Sequence, residues 1–170
     1  MRPVIKYGLI TGISVSLWLL LSFAVVKSFN IPADKSRALS GLLSIVVLTI
    51  GVYLGIKKVR KNNNGVLLYK NAAFTGIKIS LITAVIVSLY SLLYCTVINP
   101  DFTDFMVKEA EKALISSGAT PQEIAIKSEA IKKEYSISML VMQGFIGQTV
   151  MGSIASLIIG IFMKTKPINP

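Results

Sequence analysis

Acidic side chains at short spacing are the first candidates for chemistry in this sequence: Asp101 with Asp104, and Glu109 with Glu111. Two carboxylates can share a divalent cation or divide the roles of acid and base. A calcium loop, however, places its ligands at alternate positions around a glycine, and neither pair sits in such a loop. Lys108 and Lys112 interleave with these acids, so the spacing reads as a solvated helix face with local ion pairs. Histidine is absent, which removes the side chain most used for proton transfer near neutral pH and the commonest metal ligand. The single cysteine, Cys95, lies in an apolar run and offers neither a disulfide nor a metal-ligand spacing. Ser80, Ser88 and Ser156 have no base nearby in the sequence to make one of them a nucleophile. The sequence thus assigns no catalytic residue, cofactor or metal site, and the chain is read as not an enzyme.

What would have to position any chemistry is a set of apolar helices. Hydrophobic residues make up 53% of the 170 positions and charged residues only 15%, against about 25% charged in a soluble domain. Stretches free of Asp, Glu, Lys and Arg run from Tyr7 to Val26, Ala38 to Ile56, Ile79 to Ile98 and Tyr135 to Met163. About 20 apolar residues in a helix cross the ~30 Å hydrocarbon core. Four strands cannot close a barrel, and in lipid only helices or closed barrels satisfy their backbone. The expected architecture is an all-α membrane protein, one integral domain over residues 1–170 with spans at about 7–26, 38–56, 75–98 and 137–163. A signal-peptide reading of the first span has Arg2 and Lys6 before it and Ser22-Phe23-Ala24 as a cleavage spacing. Its apolar run is longer than the usual 7–15 residues, which favours a retained span.

Charge placement orients the spans. The amino tail (Arg2, Lys6), the second loop with its flank (Lys57, Lys58, Arg60, Lys61, Lys70, Lys78) and the carboxyl tail (Lys164, Lys166) hold ten basic residues and no acid. The first loop (Lys27, Asp34, Lys35, Arg37) and the third (Asp101 to Glu134) hold eight of each sign. The excess of Lys and Arg at one set of loops places both termini in the cytoplasm. The net charge of +10 therefore calls for no nucleic acid; Lys57, Lys58, Arg60 and Lys61 are expected to contact anionic lipid headgroups instead.

Helices in lipid associate through small residues that let backbones approach and through interhelical hydrogen bonds. Small residues recur every four positions, on one helical face, in each span: Gly8, Gly12 and Ser16; Gly51 and Gly55; Ala72, Gly76, Ser80, Ala84 and Ser88; Gly144, Gln148, Gly152, Ser156 and Gly160. These residues form the expected packing seams. Gln148 lies within one of them, and its amide is expected to find a partner across the interface, as structural glue rather than as a substrate contact. Lys78, about one turn inside its span, is expected to snorkel to the headgroups. Trp18, near mid-span, is expected to pack.

The one sizeable polar segment is 99–135. Asn99-Pro100-Asp101 stops the third span, Asp101 can cap a new helix, and Phe102, Phe105, Met106, Ala110, Ala113 and Leu114 recur at helical spacing up to Gly118. Thr120-Pro121-Gln122-Glu123 is a capping box with proline at the first helical position. Helix is expected to continue from there through Ile124, Ile131 and Tyr135 into the fourth span. The result is an extracytoplasmic helical hairpin between the third and fourth spans, its aromatic face against the membrane or the bundle.

In this order of features the chain resembles a family of small bacterial four-helix membrane proteins, the domain of unknown function 4199. The resemblance covers nearly the whole length. It rests on Gly65-Val66-Leu67-Leu68-Tyr69-Lys70-Asn71-Ala72-Ala73-Phe74-Thr75-Gly76 entering the third span, Asn99-Pro100-Asp101-Phe102 leaving it, and Ser116-Ser117-Gly118-Ala119-Thr120-Pro121-Gln122-Glu123 at the hairpin break. It implies the four-span topology and a place in the bacterial cytoplasmic membrane, and adds no activity. The functional expectation is a non-catalytic subunit or scaffold that packs against another membrane protein or a second copy of itself. The alternative is a small transporter or carrier of a lipid-linked or small polar molecule.

Overall fold

Charge-free length becomes helix in the computed structural model, which describes residues 2–29 and 33–165, with the backbone alone for 26–29 and 33–38. The side chains of Lys27, Asp34, Lys35 and Arg37, and all of Lys166, lie outside the described residues. Six helices follow one another: α1 (Pro3–Phe29), α2 (Ala33–Asn62), α3 (Tyr69–Leu93), α4 (Phe102–Ser116), α5 (Pro121–Glu134) and α6 (Ile137–Met163). No strand occurs among the described residues. Four of the helices are long and apolar enough to cross a membrane, over Pro3–Val25, Leu39–Asn62, Tyr69–Ile98 and Ile137–Met163.

The long helices form a bundle in which α2 and α3 each touch the other three, with α1 and α6 on opposite sides of that pair. The longest interface is α3 against α6. A buried core lies toward the end that carries residues 2 and 165, called here the basic end. There Leu48, Val52 and Ile56 of α2 enclose Leu67, Ala72, Ile79 and Met163, with Val4, Tyr7 and Ile159 at the margin. Thr165 N–H donates to the Leu67 carbonyl at 2.9 Å, and Leu67 N–H donates to Thr165 Oγ1 at 2.8 Å. This clasp ties the carboxyl end of the bundle to the approach of α3. Asn64 (φ 53°) and Gly65 (φ 84°) take left-handed backbone to make the turn between α2 and α3.

Outward faces are apolar: Ile50, Val85 and Leu89 are 52%, 48% and 60% exposed. Exposed apolar surface of this extent on every long helix is what a lipid solvent requires.

At the other end, the hairpin end, α3 closes in one π-helical turn over Tyr94–Ile98, in which Asn99 N–H donates to the Tyr94 carbonyl at 2.7 Å. The fifth-residue bond widens the turn before Pro100, whose ring excludes further helix. Two local expectations are corrected here. Asp101 is the residue before α4, but its side chain makes no capping hydrogen bond. Helix also does not run from α5 into the fourth span. It breaks at Tyr135 and Ser136, the latter extended at ψ 149°. The reason is tertiary: Thr103 Oγ1 donates to the Tyr135 carbonyl at 2.8 Å, and the Tyr135 ring stands edge-on to Phe102. That carbonyl is thereby committed to α4.

Candidate functional site

The small residues of α3 and α6 meet in antiparallel register, four steps along one helix matching four steps back along the other. Gly160 lies against Tyr69 and Ala72, Gly76 against Ser156, Gly152 against Ser80, and Gly144 against Val87, Ser88 and Ser91. Added methyl groups at Gly76 and Gly152 would overlap the facing serines. Ser156 Oγ, fully buried, donates across the interface to the Ala73 carbonyl at 2.7 Å, and Ser88 Oγ to the Val141 carbonyl at 3.1 Å. Ala84 is fully buried, and Ser80 Oγ donates to the Gly76 carbonyl of its own helix. In α1, Gly8 and Gly12 lie against Ile82 and Ile86 of α3, and Thr83 Oγ1 donates to the Gly8 carbonyl at 3.3 Å. Ser16 is buried and bonds within its own helix. Gly51 of α2 admits Thr11, and Gly55 admits Ile79 and Tyr7. Close backbone approach of this kind is the packing mode available where lipid removes the hydrophobic drive. Within the spans two glycines stand apart: Gly41 and Gly147 have nothing near the place a Cβ would occupy.

Polar groups in the spans divide the same way. Trp18 Nε1 donates to the Ser40 carbonyl at 3.2 Å, joining α1 to α2. Gln143 is exposed. The carbonyl oxygen of the Gln148 side chain and Thr149 Oγ1 are buried with no hydrogen-bond partner, as is Thr11 Oγ1 against Gly51. The expected interhelical partner for the Gln148 carbonyl oxygen is therefore not found. In register, Gln148 faces Ala84, whose methyl offers no donor.

At the basic end, the four residues expected at lipid headgroups do different things. Lys58 and Lys61 are exposed. The Lys57 ammonium sits 5.8 Å from the centre of the Tyr53 ring, a cation–π distance. Arg60 is half-buried and its Nε donates to the Gly65 carbonyl at 3.0 Å, so it fastens the α2–α3 turn. Of the acids in the hairpin, Glu109 pairs with Lys112 at 2.6 Å.

Against this geometry, the family model described as protein of unknown function (DUF4199) matches residues 6–165. The chain belongs to the DUF4199 family. No curated protein and no solved structure matches the chain.

The match on this DUF4199 protein runs through the hairpin as well as the four long helices. At its base sits a cluster that sequence reading did not assemble. The Phe23 ring of α1 stands edge-on to Tyr94, Phe102 and Phe105, with centroids 5.7, 5.4 and 6.0 Å away, and Phe102 meets Tyr94 and Tyr135 in the same way. Asn99 Nδ2 donates to the Tyr94 hydroxyl at 3.2 Å. The signal that could have found it is positional: two spans of the DUF4199 chain, and the residue two before a third, carry an aromatic ring near the same end, as interfacial belts do. The α1 helix also runs unbroken through Ser22-Phe23-Ala24, which places Phe23 in this cluster.

Proposed function

We propose that the chain is a non-catalytic membrane subunit or scaffold, lying in the bacterial cytoplasmic membrane with both termini inside, and that α6 receives a helix of another membrane protein or of a second copy. The observation that carries this reading is that α6, for all its length against α3, keeps most of its surface open. Of its most apolar stretch 17% is buried, against 28–33% in the other three spans. Its half nearer the hairpin presents exposed Gln143 and, one turn on, the open Gly147. An amide facing hydrocarbon gains about 0.6–2 kcal/mol from a partner across a helix interface, and a glycine one turn away lets that partner come close. The absence of histidine, and of any Asp or Glu within the spans, supports a role without acid–base chemistry.

The test is co-purification in mild detergent with crosslinking, comparing the native chain with Gln143→Leu and Gly147→Leu. A stoichiometric species lost in both variants is the expected result. A strictly monomeric native chain, with no co-purifying protein, overturns the reading.

One observation favours a small carrier instead: the unpartnered oxygens of Gln148 and Thr149, neighbours near the middle of α6. Intramembrane polar groups of this kind mark solute paths in transporters. Density for a bound solute beside Gln148, together with unchanged assembly in Gly147→Leu, would decide for the carrier.

A further inference from the structure

Every acidic side chain in the sequence lies at position 34 or between 101 and 134, and among the described residues no carboxylate side chain stands at the basic end beside its lysines and arginines. Most of them stand at helix ends or in loops, where water and counterions suffice. Lys78 does not. It is exposed on α3, eight residues past Lys70 and four past Phe74, and the same outward stripe continues through Leu81 and Val85. Phe74 is 51% exposed, Leu81 39% and Val85 48%. An ammonium thus emerges in the middle of an apolar face, with a bare aromatic ring between it and the helix end.

Register fixes its depth. Gly8 against Ile82 and Gly12 against Ile86 align α1 and α3 in parallel, which brings Lys78 level with Val4 and within a turn of Lys6. The α3 and α6 helices run on past that level. At 1.5 Å per residue, Lys70 lies about 12 Å beyond Lys78, and the exposed Ile158, Ile161 and Phe162 of α6 cover the same interval. Apolar surface therefore extends further on the α3–α6 side than on the α1 side, and Lys78 sits at the step. Side chains on a helix lean toward its N-terminus, here the basic end, so the lysine chain reaches toward Lys70 across Phe74. A hydrated ion is an unfavourable counter-charge there because apolar side chains flank the ammonium. A phosphodiester whose acyl chains already lie against Leu81 and Val85 meets both demands.

We propose that the Lys70–Phe74–Lys78 stripe of α3 is a binding site for an anionic phospholipid, its phosphate held by Lys78 and, on the outer side, Lys70. The inference depends only on α3 facing lipid and not on the partner helix of α6, so the two can fail independently. The experiment is native mass spectrometry of the full chain released from detergent, with phosphatidylglycerol or phosphatidylcholine added. It compares the native protein with Lys78→Gln, Lys78→Arg and, as an equal loss of charge nearby, Lys61→Gln. The native chain should retain phosphatidylglycerol in preference to phosphatidylcholine. Lys78→Gln should lose roughly fivefold of that retention, the equivalent of one lysine–headgroup contact; Lys78→Arg should keep it, and Lys61→Gln, whose headgroup contact has no apolar stripe behind it, should lose clearly less than Lys78→Gln. Equal retention of the two lipids, equal loss in Lys61→Gln and Lys78→Gln, or displacement of the lipid by millimolar inorganic phosphate would each overturn the site.

Discussion

Glycine in a membrane helix has two opposite uses: it admits a neighbour already present in the chain, or it leaves room for one that is not. Gly152 belongs to the first kind, because Ser80 fills the space over it and is itself held by its bond to the Gly76 carbonyl. Gly147 belongs to the second. Replacing each by alanine separates the cases. Gly152→Ala should cost about 1–3 kcal/mol, as overpacking of a close contact does, and lower the midpoint of unfolding in detergent. Gly147→Ala should leave the isolated chain unchanged or raise its stability by up to about 1 kcal/mol, through helix propensity. Equal destabilisation in both would mean that the contact geometry at Gly152 does not govern stability. At this scale the four-residue spacing was legible, since it is a property of one helix. Which glycine faces a neighbour was not, because Gly144 and Gly147 differ only in where α3 lies.

Helix ends show how far local sequence reaches. The start of α5 is written in four residues: Glu123 N–H donates to Thr120 Oγ1 at 3.3 Å, and Thr120 N–H donates to a Glu123 carboxylate oxygen at 2.8 Å. Two bonds to that carboxylate, from the Thr120 N–H first and from the Thr120 hydroxyl at 3.0 Å second, hold the Glu123 carboxyl below its ordinary range. A depressed carboxyl stabilises the fold above the ordinary glutamate value, about 4.3, and that contribution is lost as pH falls through the lower folded-state value. Amide exchange at Gln122 to Ile124 should therefore quicken, relative to the intrinsic rate, below about pH 4. Glu123→Gln should remove that pH dependence. Thr120→Ala should loosen the first turn of α5 at neutral pH by about 1 kcal/mol. Protection that stays flat with pH in the native chain would show the box to be idle. The end of α5 contrasts with its start. Nothing in Glu134-Tyr135-Ser136 forbids helix, and the break comes from Thr103 and Phe102, more than 30 residues earlier in the chain.

Across the whole molecule, hydropathy was enough to place four spans, since each is a sum over many residues and tolerates error at any one of them. Bundle order is a different quantity. That α2 and α3 form the central pair, and that a buried core lies at the basic end, follows from complementary surfaces such as Leu48, Val52 and Ile79 and is not encoded in any single span. Orientation rests on the charge sum alone, so it has a direct test. In a Cys95→Ala background, Asn63→Cys and Ser117→Cys place single thiols in exposed turns at opposite ends of the bundle. A membrane-impermeant maleimide applied to intact cells should label position 117 and spare 63, and permeabilised cells should label both. The reverse pattern would invert the topology. Neutralising Lys57, Lys58, Arg60 and Lys61 together should not change the labelling, because six basic residues and no acid remain at that end while the opposite end still balances at eight of each sign. A flip in that variant would show that the α2–α3 turn alone sets the orientation, against a rule that sums Lys and Arg over all the short loops and tails.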